Sequence, residues 1–209
     1  MVVILVLTLV GAGTALAGRY DPQRRITPAD QARARAMLVK QVDLATGFQR
    51  LSGSLTSTPT TCKALDESDL TLTGEAGSSL WLKGTMFVFS AAKVYASTAQ
   101  ANASWTRQTS RAGRDCAVAD TTRVMGLGGS SVSLVTRAFP RLAPRTVSYR
   151  VTITSQSGVS RYMDVVALQR SRGQAIFVVG SGGTSSTKAL EVRLGRILAA
   201  RMSTALRGP

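Results

Sequence analysis

One short motif in the sequence pairs a nucleophile with an activating base. Ser90-Ala91-Ala92-Lys93 matches the Ser-x-x-Lys pattern in which a lysine activates a serine for hydrolysis, and Lys83-Gly84-Thr85 matches the Lys-Thr-Gly that accompanies this pattern. The order is wrong, however, because Lys83 precedes Ser90, and no Ser-Asp-Asn lies between them. We expect Ser90 and Lys93 to lie in a strand, where residues three apart point to opposite faces. A Ser–Lys hydrolase is therefore not predicted.

Other catalytic chemistries are excluded by composition. The chain has 209 residues, two cysteines and no histidine. It therefore cannot form a Ser-His-Asp or Cys-His triad, a histidine-ligated metal site or a cysteine-rich cluster. The acids that lie apart from one local cluster, among them Asp164 and Glu191, show no paired spacing. We predict no catalytic residue, no cofactor and no metal, and hence a protein that is not an enzyme.

The amino-terminal residues resemble an export signal. An apolar run from Val2 to Val10 precedes Ala15-Leu16-Ala17, which is the arrangement of a secretory signal peptide, here residues 1–17. The alternative, a transmembrane anchor, needs about 20 apolar residues. Export would place Cys62 and Cys116 in an oxidising compartment, where we expect a disulfide. The alternative of two redox-active thiols lacks the Cys-x-x-Cys spacing.

Basic residues outnumber acidic ones by 26 to 11, a net charge of +15. Arginine guanidinium groups match the oxygens of phosphate and carboxylate groups, so an arginine-rich surface favours anionic ligands. Lys188 is a further candidate, because it follows Gly180-Ser181-Gly182-Gly183 near the start of a predicted helix, and helix N-termini attract anions. The alternatives are a solvated basic surface and a flexible glycine-rich connection. The candidate anion-binding residues are Arg137, Arg141, Arg145, Arg150, Arg161 and Lys188.

Four acidic residues form a local cluster in this basic chain: Asp66, Glu67, Asp69 and Glu75. Their spacing fits no calcium-binding loop. We expect them to form ion pairs with arginines.

The elements that position these residues can be read from periodicity and turn signals. Residues 18–26 resemble a polar leader. Thr27-Pro28-Ala29-Asp30 predicts a helix start, with Gly47 at its exit. Residues 52–61 predict a loop. The next predicted elements are strands at 69–76 and 85–96, and helices at 98–108 and around Cys116 to Val124.

The clearest pattern lies in the carboxy-terminal half. Residues 131–139, 145–154, 161–169 and 174–179 predict a four-stranded meander. In its second strand, Val147, Tyr149, Val151 and Ile153 share one face. A helix over 186–206 should cover that apolar face. Together these elements predict an α+β fold for residues 27–209: a single domain with a mainly antiparallel sheet, the meander packing against amino- and carboxy-terminal helices.

Short motifs along the chain resemble those of exported actinobacterial sensor domains. Thr27-Pro28-Ala29-Asp30-Gln31-Ala32 leads to Asp43-Leu44-Ala45-Thr46-Gly47-Phe48, and a Leu-Thr-Leu-Thr-Gly strand and a tryptophan-bearing helix follow. This order is similar to the extracellular sensor domain of the kinase PknH and the LpqN-type lipoproteins. The resemblance implies a Mog1/PsbP-like fold and a ligand-binding or cell-envelope role. It implies no catalytic residues, and the single cysteine pair differs from the two disulfides of the kinase domain.

We therefore expect a secreted, non-enzymatic protein of the cell envelope or extracellular space. Its basic surface should bind an anionic component, either phospholipid or wall polymer. One alternative is a module that binds another envelope protein, and another is a hydrolase of unknown type. Base-stacking aromatic residues are scarce near the arginines, so no specific nucleic-acid binding is predicted, and no membrane-spanning segment is predicted in the mature chain.

Overall fold

The structure, a computed structural model, describes residues 18–54, 60–124, 127, 129–182 and 187–207. The predicted signal peptide, residues 1–17, lies outside the described residues. In chain order the described elements are β1 (Gln23–Arg24), α1 (Pro28–Ala36), β2 (Gln49–Ser54), β3 (Thr71–Gly77), β4 (Ser79–Lys83), β5 (Met86–Tyr95), α2 (Thr98–Thr109), α3 (Arg111–Val124), β6 (Ser131–Thr136), β7 (Arg145–Thr154), β8 (Ser160–Arg170), β9 (Gly173–Ser181) and α4 (Lys188–Ala205). Short 3-10 turns lie at Gln41–Asp43 and Lys63–Leu65.

The strands form one nine-stranded sheet, in which β1-β3-β5-β9-β8-β7-β6 are successive neighbours. Strand β5 is long enough to pair with two strands on one edge. Its carboxy-terminal part pairs with β3, and its amino-terminal part with β4, which in turn pairs with β2. Every pairing is antiparallel except that of β1 with β3. The predicted α+β fold with a mainly antiparallel sheet is confirmed.

The predicted meander is β6 to β9. Strand β7 has the predicted bounds, and the other three differ from the prediction only at their ends. The turn after β7 contains Gly158 at φ 80°, and the turn after β8 places Ser171 at φ 49°. Both residues adopt the left-handed region, which lets each hairpin turn tightly. Local alternation and turn residues thus determine this part of the sheet.

Helices α1 and α4 cover one face of the sheet. Leu194, Leu198 and Met202 of α4 are fully buried at 0% exposure. They pack in one cluster with Leu168 of β8 and Phe177 of β9. The apolar stripe of α4 therefore closes the main core, as its helical spacing predicts.

The face of the sheet that α4 covers differs from the expected one. The prediction that it covers the face of Val147 and Tyr149 is wrong. Helix α4 covers the opposite face, which carries Ser148 and Arg150, because β7 pairs Ser148 with Val166, a core residue under α4. Ser148 is 1% exposed for this reason. The apolar face of β7 instead lies toward α2 and α3.

The amino-terminal part is more strand-rich than expected. Helix α1 ends at Ala36, well before Gly47, and β2 occupies part of the predicted loop 52–61. Strand β4 lies between the predicted strands 69–76 and 85–96, where no strand was predicted. The predicted leader also belongs to the fold, because β1 pairs with β3 and the Tyr20 carbonyl accepts a hydrogen bond from the Glu67 amide. Nonlocal pairing determines these elements.

Candidate functional site

A cavity of about 350 Å³ lies between helices α2 and α3 and the sheet face turned away from α1 and α4. Its floor is built largely from apolar side chains of the meander. Along each strand these side chains alternate with residues that face α4. Each strand therefore contributes one set of side chains to the core under α4 and the other set to the cavity floor. The main floor residues are Val147, Tyr149, Val151, Val165, Ala167 and Ile176.

The roof of the cavity consists of α2 and α3. Trp105 of α2 and Ala117, Val118 and Thr121 of α3 face the cavity. The Cys62–Cys116 disulfide joins α3 to the segment that precedes β3, with the two Cα atoms 5.8 Å apart. The predicted disulfide is therefore present, and it anchors the roof.

One end of the cavity is polar and centres on Glu67, which is 5% exposed. Its carboxylate accepts hydrogen bonds from the Tyr95 hydroxyl at 3.2 Å, the Ser104 hydroxyl at 2.5 Å and the Gln108 amide at 3.0 Å. The Lys93 ammonium lies 3.7 Å from the same carboxylate. This network fixes a buried carboxyl group at the cavity wall.

Lys93 is a basic residue at this polar end. Burial favours the neutral amine and so lowers the pKa of Lys93. Negative charge outweighs this effect and raises the pKa overall; it comes from Tyr95, when ionised, and from Glu67 and Glu75. Burial also raises the pKa of the Tyr95 hydroxyl to about 12. At neutral pH Lys93 is therefore a cation and Tyr95 a neutral hydrogen-bond donor. Lys93 also lines the cavity, where its ammonium can donate to a bound molecule.

The predicted pairing of the acidic cluster with arginines is confirmed for Asp69 and Glu75, whereas Glu67 pairs with Lys93. Arg107 binds Asp69 with its two terminal guanidinium nitrogens, at 2.6 and 2.8 Å. Arg24 contacts Glu75 at 2.6 Å. These pairs hold β1, β3 and α2 together around the polar end.

The other wall carries Arg114 and Tyr149. Burial raises the pKa of the Tyr149 hydroxyl, and its hydrogen bond with Arg114 opposes that shift. Arg114 also donates to the Thr109 carbonyl at 2.6 Å, which links α3 to the end of α2. The cavity thus has charged groups at its margins and an apolar floor between them.

Two of the predicted anion-binding arginines already bind carboxylates of the protein. Arg150 donates to both oxygens of Asp164, at 2.8 and 2.7 Å. Arg137 contacts Asp164 at 2.7 Å and Glu191 at 3.2 Å. These four residues form a cluster between the meander and α4, away from the cavity, in which the two acids are buried and the arginines are partly exposed.

The other four candidates are scattered. Arg141 is exposed and donates to the Pro144 carbonyl. Arg145 and Arg161 belong to the cavity face of β7 and β8 by register, pairing with Gln169 and Ile153 respectively. Lys188 donates to the Ala138 carbonyl and lies 4.7 Å from the centre of the Phe139 ring. The six candidates do not converge on one surface.

The structure pairs two acids that sequence spacing leaves apart. Asp164 is 2% exposed and Glu191 is 0% exposed, and the Thr187 hydroxyl donates to both. Burial raises the pKa of Glu191, and the neighbouring Asp164 raises it further. Burial opposes ionisation of Asp164 as well, but its hydrogen bonds with Arg150 and Glu191 lower its pKa. The pair is thus a carboxyl group of raised pKa beside one of lowered pKa, both buried under α4.

The Ser-x-x-Lys motif is separated as predicted. The Ser90 hydroxyl accepts a hydrogen bond from the Val39 amide at 2.9 Å, on the side of α1. Lys93 faces the cavity on the other side of the sheet. The two side chains cannot act as a dyad.

Across residues 18–54, 60–124, 127, 129–182 and 187–207, no three acidic or cysteine side chains are grouped so as to hold a metal ion. None of the helices in these ranges is both long and apolar enough to cross a membrane.

Comparison with known proteins gives structural matches alone. No protein-family model matches the chain, and no curated protein matches its sequence. The extracellular domain of PknH from Mycobacterium tuberculosis matches with a TM-score of 0.51 at 12% identity, over 87% of this chain and 99% of that one. An uncharacterised protein from Mycobacterium smegmatis, the Rv0999 ortholog, gives 0.40 at 13% identity, over 66% of each chain. At such low identity, the likeness of the chain to the PknH domain is one of fold.

Proposed function

We propose that the protein is a non-enzymatic binding module of the extracellular space or cell envelope, and that its cavity holds a small amphipathic molecule. The observation that carries the proposal is the cavity itself, with an apolar floor and a charged end. Ligand sites are typically apolar enclosures of about 300–1,000 Å³ with a few fixed polar groups. The volume of about 350 Å³ lies in this range.

The chemistry of the cavity favours a molecule with an apolar body and an acceptor-bearing head. The body would lie along Val151, Val165 and Ile176, where burial of apolar surface supplies the binding energy. The head would lie near Lys93, whose ammonium lines the cavity and carries three N–H donors. Among the ion pairs of the described residues, this ammonium takes part in one, with Glu67 at 3.7 Å. A hydrogen-bonded head fixes the orientation of the molecule.

Two further observations support a binding role outside the cytoplasm. The disulfide between Cys62 and Cys116 is typical of exported proteins. The structural likeness to an extracellular domain of a kinase agrees with a sensor or accessory module. Ser90 and Lys93 lie apart, and Asp164 and Glu191 are buried, so neither pair supports hydrolysis.

The test uses N-phenyl-1-naphthylamine, an apolar fluorophore whose emission rises on entering a dry site. We expect saturable binding at one site. Ala167→Phe places a ring on the cavity floor and should weaken binding at least tenfold. Ala32→Phe is the matched control, because Ala32 is exposed on α1, on the other side of the sheet. Equal effects of the two substitutions, or no saturable binding, would contradict the proposal.

A further inference from the structure

The acidic residues of the chain are segregated by the two sides of the sheet. All eleven lie in the described ranges. On the side of α1 and α4, each of the four acids is buried and bound by arginine. Those four are Asp30, with Arg33 and Arg172; Asp43, with Arg201; Asp164, with Arg137 and Arg150; and Glu191, with Arg137. The acids that retain exposed surface belong to the cavity side and its rim: Asp21, Asp66, Asp69, Glu75, Asp115 and Asp120.

The surface formed by α1, α4 and the loop 137–144 therefore presents positive charge alone. We call it the α1–α4 face. Phe139 and Leu142 of the loop lie next to Gly195 of α4, which makes the loop part of this surface. Its exposed basic residues are Arg35, Lys40, Arg141, Arg193, Arg196 and Arg207.

Helix α4 carries two of these cations along one line, and a third follows its carboxy-terminal end. Arg193 and Arg196 are exposed, as are Ala200 and Thr204 farther along the helix. At 100° per residue these four residues lie on one stripe, which runs for about 17 Å along the helix axis. Arg207 lies just beyond the helix end, and its guanidinium donates to the Ser203 carbonyl in the last turn. Such a stripe can contact several anionic groups at once on a flat surface.

An exposed apolar side chain stands beside this stripe. Val42 is 85% exposed in the turn Gln41–Asp43. Arg201 of α4 holds this turn by binding both oxygens of Asp43, at 2.6 and 2.7 Å. Val42 thus lies next to α4 among cations, where an aqueous polyanion gives it no favourable contact. A lipid surface accommodates both the arginines and Val42, because headgroup phosphates bind arginine and the boundary of the acyl chains accepts an apolar residue.

We propose that the α1–α4 face binds the surface of a membrane rich in anionic phospholipids. The proposal is independent of the cavity, which lies on the other side of the sheet. Each basic residue near an anionic bilayer raises the membrane partition coefficient of a protein about fivefold. Removal of Arg193, Arg196 and Arg207 together should therefore lower the partition coefficient about a hundredfold.

The experiment measures co-sedimentation of the purified protein with vesicles of phosphatidylcholine, with and without phosphatidylglycerol. We expect binding to the anionic vesicles that weakens with salt. The variant Arg193→Gln/Arg196→Gln/Arg207→Gln should lose about a hundredfold in partitioning. The control Lys63→Gln/Arg111→Gln/Arg161→Gln removes the same charge from exposed sites outside this face and should lose only a fewfold. Val42→Ser should weaken the binding that persists at high salt.

Three results would overturn the proposal. One is equal loss in the two triple variants, which would assign binding to net charge alone. Another is absence of binding to phosphatidylglycerol vesicles at low salt. The third is tighter binding of the protein to duplex DNA or to an anionic wall polymer than to the vesicles, through Arg193, Arg196 and Arg207.

Discussion

The Cys62–Cys116 disulfide offers the sharpest test of how the cavity is held. The two residues are separated by 54 positions, and α3 carries Cys116 in the cavity roof. Closing a loop of this length removes conformational entropy from the unfolded chain worth about 4 kcal/mol at 25 °C. We expect Cys62→Ala/Cys116→Ala to lower the free energy of unfolding by about this amount. The double variant should still fold, because the meander and the core under α4 do not involve the disulfide.

Urea unfolding at equilibrium measures the loss. Wild-type protein under reducing conditions should approach the stability of the double variant, while reductant should leave the variant unchanged. A loss below about 1 kcal/mol would refute the chain-entropy reasoning for this bridge. Because the bridge anchors α3, we also expect N-phenyl-1-naphthylamine to dissociate faster from the variant. An unchanged dissociation rate would refute the anchoring role even if stability falls.

Three other substitutions test separate parts of the structure. Asp30→Asn should cost about 3 kcal/mol at pH 7 by urea unfolding, because it breaks the buried pair with Arg172. The hydrogen bonds from Arg172 lower the pKa of Asp30 in the folded protein. Ionised Asp30 therefore contributes its whole stabilisation above the unfolded pKa near 4, and this contribution should decrease as the pH falls below that value. A difference in unfolding free energy between wild type and Asp30→Asn that stays constant down to pH 2 would contradict this reasoning. Lys93→Met should weaken binding of anilinonaphthalene sulfonate about tenfold and leave N-phenyl-1-naphthylamine unaffected, whereas equal losses would argue against a head-binding role. Gly74→Ala should lower the melting temperature, because a Cβ there would lie 2.2 Å from the Asp30 carbonyl oxygen, and an unchanged value would contradict the close packing of α1 on β3.

Local patterns predicted the meander and α4 well. The alternation in Arg145–Thr154 and the turn residues after it depend on neighbours in sequence, so they can be read without tertiary information. Strand β2 was missed because the segment Gln49–Ser54 is polar and becomes a strand only by pairing with β4.

The choice of sheet face was not predictable in the same way. In β8 both alternating sets are apolar, with Val166 and Leu168 on one face and Val165 and Ala167 on the other. Helix α4 covers the set that contains the larger Leu168, and the smaller Ala167 is left as cavity floor. Residue size in β8 was the signal that could have located the cavity.

The charge pattern required long-range pairing to interpret. Arg201 and Asp43 are 158 positions apart, and Arg172 and Asp30 are 142 apart. The net charge of +15 does not by itself distinguish these arginines from exposed ones. In the structure they pair with buried acids on the side of α1 and α4, so the exposed charges of that face are basic.

The two proposed surfaces constrain each other. The cavity opens on the side of α2 and α3, and the α1–α4 face lies across the sheet from it. A protein bound to a bilayer through α4 would therefore hold its cavity away from that bilayer. The cavity ligand would then arrive from the aqueous phase, and membrane binding would leave the probe affinity unchanged. Measuring N-phenyl-1-naphthylamine affinity through tryptophan quenching, with and without saturating phosphatidylglycerol vesicles, tests this geometry once probe uptake by the vesicles is subtracted. A lower affinity in their presence would mean that the bilayer blocks the cavity, and that the protein binds the membrane through the α2–α3 side.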